Sequence, residues 1–257
     1  MKKTIIVEKE KIELRNPILI SGLPGLGMVG KIAVKYLIKQ LRAKKFAELY
    51  SPHFAYYVLV NDRGGIKLLN NEFYYWKNES GKNDLILLTG DSQAQTIEGQ
   101  YEVANLIVDF AEKKGVKLII TLGGYRKNVI STPQVLASAT SRGALKKALD
   151  AGSLSNTPRS PIIGAAGLLL GLAKFRDMEG ISLLGETPGY MPDPKAAKSV
   201  LTVLMRMLDL ELDLSDLDRE ISRIAQIEEQ MRRIEKQRRE AERELKKIEE
   251  EKLSYIG

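Results

Sequence analysis

Short, continuous apolar runs alternate with helix-periodic segments through about the first 210 residues of this 257-residue chain. The runs within residues 17–21, 84–89 and 117–122 have the length of single strands and lack polar alternation. Strands that are apolar on both faces need helices on both sides of their sheet. The pattern therefore predicts an α/β fold, a three-layer sandwich with a mainly parallel central sheet.

The remaining segments of this region are also predicted to be strands or helices. Aromatic and β-branched residues predict strands at residues 54–60 and 73–76, with a turn at residues 61–65 between them. In such folds a site is expected in the loops that follow the carboxyl ends of parallel strands. The other predicted elements are strands at residues 134–139 and 181–184, and helices at residues 29–41, 96–114, 142–150, 164–173 and 195–208.

The composition changes near Leu214, which predicts a core domain at residues 1–212 and a helical extension at residues 213–252. Residues 215–253 contain no Gly, Pro or aromatic residue, and carry 11 Lys and Arg against 12 Asp and Glu. Apolar residues recur there in alternating three- and four-residue steps, the spacing of a coiled coil or of a helix packed on a partner. As one helix this segment would be ~58 Å long. The apolar positions predicted to pack helices or copies together are Ile224, Ile227, Met231, Ile234, Leu245 and Ile248.

The residue composition excludes several kinds of catalytic and metal site. The chain has no Cys, which excludes thiolate nucleophiles, disulfides, zinc fingers and iron–sulfur centres. A single His excludes a His-rich metal centre and makes His53 the one possible imidazole base. We therefore expect no metal site.

The net charge of +7 raises the question of a nucleic-acid partner. Residues 215–253 are nearly balanced, so the rest of the chain carries a net charge of +8. Its Lys and Arg residues are spread out, without a recognised nucleic-acid motif, and we expect no nucleic-acid partner. No run reaches the ~18 apolar residues of a membrane span. The basic N-terminus lacks the apolar segment of a signal peptide, so we expect a cytoplasmic protein without a membrane partner.

A glycine-rich turn between the first predicted core strand and its helix matches the dinucleotide fingerprint through Gly25, Gly27 and Gly30. Glycines there would let a phosphate approach the helix N-terminus. Pro24 stiffens the turn, and Glu48, the acid nearest the expected spacing, lies in a weak strand context. The alternatives are a nucleotide- or dinucleotide-binding enzyme that uses this turn, and a tight turn that serves close packing.

Three other groups of residues are weaker candidates for catalysis or anion binding. His53, in the segment Ser51–Phe54, has no arrangement of Ser and carboxylate residues around it that would mark a catalytic triad, so a turn or packing role is expected. Asp91 and Glu98 could form a carboxylate pair, although helix capping by Asp91, Ser92 or Thr96 explains the same segment. Residues 123–127 carry two cations after a glycine pair, which is compatible with an anion site or with a solvated glycine turn.

Four motifs in this order resemble a known family: residues 22–30 (GLPGLGMVG), 90–93 (GDSQ), 122–125 (LGGY) and 184–190 (LGETPGY). Over residues 10–210 the chain resembles the proteasome assembly chaperone family in its archaeal branch, a family that also carries an ATP-grasp-like label. The resemblance implies a three-layer fold similar to nucleoside phosphorylases, with no established enzymatic activity and no cofactor. It also implies self-association, as a tetramer or a pentamer, and binding to proteasome α-subunits.

The last residues bear on how such a protein would bind its partner. Proteins of this kind can dock a C-terminal tail, a hydrophobic residue, a Tyr and any residue, between α-subunits. Here Tyr255 is third from last and Ser254 precedes it, so the tail is similar to that motif without matching it. Docking of an apolar tip and an idle terminus both remain open. The residues expected to bind the partner are Leu253, Tyr255, Ile256 and Gly257.

Overall fold

The computed structural model describes residues 1–80, 82–129, 131–227, 229–230, 233–234 and 237–238. The chain divides into two compact units, Met1–Asp213 and Leu214–Gly257. Predictions made for Met231, Leu245, Ile248 and residues 253–257 lie outside the described residues.

The first unit is built on a nine-stranded sheet with the strand order β1-β3-β6-β7-β2-β8-β11-β9-β10, and β4 and β5 form a separate two-stranded hairpin. The strands are β1 (Ile5–Glu8), β2 (Ile18–Ser21), β3 (Lys44–Tyr50), β4 (Val58–Val60), β5 (Ile66–Leu68), β6 (Asn71–Trp76), β7 (Leu85–Gly90), β8 (Leu118–Arg126), β9 (Val135–Ala139), β10 (Leu154–Ser155) and β11 (Glu179–Thr187).

The sheet is mixed rather than mainly parallel, which corrects the prediction. The central strands β7, β2, β8 and β11 pair in parallel. At one edge β1, β3, β6 and β7 pair antiparallel in turn, and β9 is antiparallel to β11. The strands β1, β3 and β6 carry charged residues, as antiparallel strands with one solvated face do. Only the central, fully buried runs had the continuous apolar pattern on which the prediction depended.

Helices cover both faces of the sheet, as the three-layer prediction required. On one face α1 and α3 both contact α5, and on the other α2 packs against α4. The helices are α1 (Val29–Gln40), α2 (Ile97–Lys113), α3 (Arg142–Asp150), α4 (Ala165–Lys174) and α5 (Pro194–Leu208).

Aromatic side chains anchor the core beneath α2. The rings of Phe46 on β3, Phe73 on β6 and Phe110 on α2 lie 4.9–6.3 Å apart between centroids. Tyr75 meets Phe46 edge-on at 5.9 Å. Such contacts add to the hydrophobic free energy of burial, and they fix the antiparallel edge to the same core as the parallel centre.

Several strands differ from their predicted bounds. The run predicted at residues 54–60 is a strand only over β4, and β5 closes it into a hairpin around the predicted turn, where Asn61 N donates to Gly65 O at 2.9 Å. β8 continues through Gly123 and Gly124, where the sequence predicts a turn. β11 likewise continues to Thr187, because the two strands pair along their whole length.

In the second unit, residues 215–227 are helical. Of the predicted packing positions, Ile224 is partly exposed, Ile227 is 46% exposed and Ile234 is 65% exposed.

Candidate functional site

The four motifs meet at one edge of the sheet. Because β7, β2, β8 and β11 run in parallel, the segments that follow their carboxyl ends are neighbours. These segments are residues 22–30 after β2, residues 90–93 after β7, Gly123–Arg126 at the end of β8 and residues 186–190 at the end of β11.

The segment after β2 is a tight turn that runs directly into α1. Leu26–Met28 form a 3₁₀ turn, in which Gly27 and Met28 both have positive φ angles of 56° and 52°. Glycine adopts this backbone region without the steric penalty of other residues. The α1 helix then begins at Val29 with no side-chain cap.

Two glycines let this turn lie directly against β8. A Cβ at Gly30 would lie 2.1 Å from the carbonyl oxygen of Leu122, and a Cβ at Gly124 would lie 2.4 Å from that of Leu26. Both neighbours are backbone atoms, which cannot rotate away. The LGGY motif therefore provides the surface on which the turn packs.

The loop after β11 closes over the same turn. A Cβ at Gly27 would lie 2.6 Å from Oγ1 of Thr187, whose oxygen accepts a hydrogen bond from Gly189 N at 3.1 Å. Asp193 N donates to Gly27 O at 2.8 Å, and the Asp193 carboxylate caps α5 by accepting from Ala196 N. The fourth motif thus holds the first through the glycine at its centre.

Gln93, the last residue of the second motif, joins the turn to the opposite helical layer. Its Nε2 donates to Pro24 O at 2.6 Å, and its Oε1 accepts from Ala165 N, at the start of α4, at 2.9 Å. One amide therefore satisfies a loop carbonyl and a helix-terminal N–H together. We name the packed assembly of residues 22–30, Gln93, Leu122–Gly124 and Thr187–Gly189 the four-motif joint.

This geometry decides between the two interpretations of the glycine turn. In the dinucleotide fingerprint the second glycine admits the pyrophosphate. Here that glycine is Gly27, which is buried and faces Thr187 and Asp193. Gly30 faces β8, and Gly25 alone of the three could carry a Cβ without a close contact, since its nearest neighbour would be Nε2 of Gln93 at 3.9 Å. The glycines serve close packing, and the nucleotide-binding alternative is not favoured.

The exposed rim of the joint carries aromatic and apolar side chains beside cations. Tyr190 and Met191 are largely exposed, and Cζ of Arg126 lies 5.2 Å from the centroid of the Tyr190 ring. Lys127 donates to Oε1 of the buried Glu186, whose Oε2 accepts from Gln134 N. Burial raises the pKa of Glu186, but these hydrogen bonds outweigh it and the pKa lies below its usual value. Arg126 and Lys127, the two cations considered for an anion site, therefore already contact groups of the protein.

His53, for which a turn or packing role is expected, has two polar side chains beside its ring. Its Nδ1 lies 3.3 Å from Oγ1 of Thr96, and its Nε2 lies 3.2 Å from Oε2 of Glu102. A hydroxyl, an imidazole and a carboxylate are thus adjacent. The hydroxyl is the N-cap of α2, accepting from Gly99 N, and Glu102 also accepts from Thr4 N. These partners fix the residues that follow β3 to the start of α2.

Asp91 and Glu98 have separate environments. Asp91 pairs with Lys67 of β5 at 3.1 Å and with Lys31 of α1 at 3.9 Å. Glu98 is exposed on the first turn of α2, where a carboxylate favours the helix dipole. Thr96 provides the cap, so the capping interpretation of this segment is confirmed.

A cavity of about 650 Å³ lies at the opposite, amino-terminal edge of the parallel strands. Its lining includes Lys82, Lys117, Lys147 and Glu179, and Lys82 pairs with Asp209.

Across the described part of the chain, no cluster of three or more His, Asp or Glu residues could hold a metal ion. Within the same residues, no helix has the length and apolar character needed to cross a bilayer.

Comparisons with known proteins agree with the four-motif resemblance. A family model described as the PAC2 family matches residues 19–234. The solved structure of Pyrococcus furiosus PbaB, an archaeal proteasome activator, has a TM-score of 0.86 and 43% identity, covering 90% of this chain and 99% of that one.

Two further relatives extend this agreement. Pyrococcus furiosus PbaA, an archaeal homolog of proteasome-assembly chaperone, has a TM-score of 0.76 and 31% identity, covering 96% of this chain and 97% of that one. The uncharacterized protein MJ1210 of Methanocaldococcus jannaschii is 37% identical over 216 residues, 83% of each chain. The chain therefore belongs to the PAC2 family and is a member of the proteasome assembly chaperone family.

Proposed function

We propose that this protein is a non-enzymatic proteasome assembly chaperone or proteasome-binding protein. A homo-oligomeric core, a tetramer or a pentamer, projects C-terminal helices whose tips bind proteasome α-subunits. The observation that carries the proposal is the likeness to PbaB, an archaeal proteasome activator, at 43% identity over 90% of the chain.

The four-motif joint supports a binding role over catalysis. An α/β enzyme holds its substrate in a crevice at the carboxyl ends of its parallel strands. Here backbone-to-backbone contacts at Gly30 and Gly124, and the buried Thr187, occupy that position. On this proposal the motifs pack the core, and exposed surfaces bind the partner. We also infer a likeness to nucleoside phosphorylases in the arrangement of layers, without their activity.

The second unit supplies the proposed arm. Ile227 and Ile234 are exposed on the helical segment, at positions of a heptad pattern. Isoleucines at such positions pack into a partner helix in a coiled coil. We therefore propose that residues 213–252 associate between copies through Ile224, Ile227, Met231, Ile234, Leu245 and Ile248, in a cytoplasmic oligomer.

At the end of each arm, Leu253, Tyr255, Ile256 and Gly257 form the proposed docking tip. A tyrosine beside aliphatic residues fills an apolar pocket while its hydroxyl reaches a polar partner at the rim. One such tip gives modest affinity. An oligomer that presents several tips to a ring of α-subunits gains from a high effective concentration.

The direct test is capture of partners from an archaeal lysate, followed by mass spectrometry. The full chain is expected to recover proteasome α-subunits, and a chain lacking residues 253–257 is expected to lose them. Equal recovery by both chains would exclude the tip as the binding element. No recovery by the full chain would exclude the proteasome as its partner.

A further inference from the structure

Four hydroxyl side chains lie side by side across the middle of the sheet. Ser21 on β2 pairs with Thr121 on β8, and Thr121 pairs with Ser182 on β11. Ser182 pairs in turn with Ser138 on β9. Residues that pair directly across neighbouring strands point to the same face of the sheet. We name these four residues the hydroxyl row.

The hydroxyl row faces α4, which packs on β8 and β11. A Cβ at Gly180, two residues before Ser182 on β11, would lie 2.8 Å from Cδ2 of Leu170 on α4. Alternate residues of a strand point to the same face, so Ser182 faces α4 as Gly180 does. Thr121 and Ser182 are 0% exposed there, and Ser21 is 4% exposed. The row is therefore a polar element inside the core.

The two central members of the row have no hydrogen-bond partner in the protein. Among the residues that the structure describes, none bonds to Oγ1 of Thr121 or to Oγ of Ser182, and both oxygens are buried. A buried hydroxyl without a partner destabilises the folded state. Buried polar side chains almost always have a partner, which is either another protein group or an ordered water.

The spacing of the strands explains why these two hydroxyls do not bond to each other. Neighbouring strands lie about 4.8 Å apart, whereas a direct hydrogen bond between hydroxyl oxygens needs about 2.8 Å. A water about 2.8 Å from each of two oxygens at the strand spacing makes an angle of about 120° with them, which suits its hydrogen bonding. The short side chains of the row also leave more room beneath α4 than leucines would.

We propose that Thr121 and Ser182 bind one internal water molecule between β8 and β11, beneath α4. The water makes one hydrogen bond with each hydroxyl, and Ser21 and Ser138 flank it in the row. Internal waters occupy polar sites with two or more partners of this kind. The site adjoins the four-motif joint, because Thr121 directly precedes the third motif and Ser182 stands two residues before the fourth. The inference concerns the core and does not depend on the proposed function.

The sign of a stability change in the full-length chain tests the inference. Thr121→Val keeps the shape of the side chain and removes the hydroxyl. With a bound water, this variant takes away one of its partners and is expected to lower the unfolding temperature by about 2–4 °C. Ser182→Ala is expected to act in the same direction. Thr132→Val is the matched control, since Thr132 is exposed, and its unfolding temperature is expected to stay within about 1 °C of the wild type.

A double variant shows whether the two hydroxyls share one ligand. Once either hydroxyl is removed, the water is held by fewer partners. Thr121→Val combined with Ser182→Ala is therefore expected to lower the unfolding temperature by clearly less than the sum of the two single shifts. Shifts that add up fully would show that each hydroxyl has a partner of its own, and would overturn the inference.

A high-resolution crystal structure of the full-length chain provides the direct observation. We expect a water within hydrogen-bond distance of both Oγ1 of Thr121 and Oγ of Ser182. Two results overturn the inference. One is a wild-type structure in which no water contacts both oxygens. The other is a Thr121→Val chain that unfolds at or above the wild-type temperature, because the valine has then replaced a hydroxyl that had no partner.

Discussion

Glu48 is a buried carboxylate on β3 surrounded by three donors. Nζ of Lys45 and of Lys9 lie 2.7 and 2.9 Å from its two oxygens, and the hydroxyl of Tyr50 donates at 2.9 Å. Burial raises the pKa of Glu48, but these hydrogen bonds outweigh it and bring the pKa to about 2, from a usual 4.5. A carboxyl whose pKa is lower in the folded state stabilises the fold above its unfolded pKa, and this contribution is lost as the pH falls towards 2.

Glu48→Gln is therefore expected to lower the free energy of unfolding by about 2 kcal/mol at neutral pH. The difference from wild type should shrink as the pH falls from about 5 towards 2, which urea unfolding at several pH values measures. Glu79→Gln, at an exposed position, is the control and is expected to change the free energy by less than about 0.5 kcal/mol. A deficit for Glu48→Gln that does not vary with pH would assign its cost to packing.

Gln93 is the residue of the four-motif joint whose chemistry is least replaceable. Gln93→Glu keeps the shape but sets a carboxylate oxygen against Pro24 O, where Nε2 now donates at 2.6 Å. We expect a loss of about 1–3 kcal/mol in the free energy of unfolding. Gln95→Glu adds the same charge at an exposed neighbouring position, where water can replace the hydrogen bond from Nε2 of Gln95 to Gln93 O, and it should cost little. Equal unfolding curves for the two variants would contradict the bridging role of Gln93.

At the scale of elements, α1 is held against β8 by a glycine in its first turn. Gly30→Ala places a Cβ 2.1 Å from a backbone oxygen, and we expect it to lower the free energy of unfolding by at least about 2 kcal/mol. Gly171 on α4 provides a matched control, because a Cβ there meets nothing within 4 Å. Gly171→Ala is expected to be neutral or to stabilise by up to about 1 kcal/mol. Thermal unfolding of both variants distinguishes a packing glycine from a tolerated one, and similar effects would contradict the close approach.

Elements with a strong local pattern could be predicted from the sequence. The α3 helix has the predicted bounds, because Ser141 caps it and the helical periodicity ends at Asp150. β3 was hard to recognise because its Lys45 and Glu48 are charged, and they are accommodated by ion pairs with Lys9 and Glu72 from elsewhere in the chain. Charge pairs between distant segments leave no periodic signal in the sequence.

The candidate site could be predicted from the sequence only in part. The motifs that form the joint could be identified, and the order of parallel strands predicts that they meet. Close packing was one of two interpretations of the glycine turn, and the glycine spacing alone could not decide between packing and a phosphate site. The decision needs the contact between Gly27 and Thr187, which the sequence does not show. The contacts of His53 with Thr96 and Glu102 likewise join residues 43 and 49 positions apart.

At the scale of the whole molecule, the two units have separate roles. The four-motif joint holds the α/β core together, and the second unit carries the proposed docking tip. The net positive charge lies outside residues 215–253, so it belongs mainly to the core. A core of this charge is attracted to an acidic protein surface, which would increase the rate of association at low salt.

We propose above that the tip, residues 253–257, is the element that binds proteasome α-subunits. The most direct measurement is the affinity of purified α-subunits for the full chain and for a chain lacking Leu253, Tyr255, Ile256 and Gly257 together with Ser254, by surface plasmon resonance. We expect the truncated chain to lose at least about tenfold in affinity, or about 1.4 kcal/mol, while its unfolding temperature and solution mass stay those of the full chain. An unchanged affinity in the truncated chain would contradict the claim.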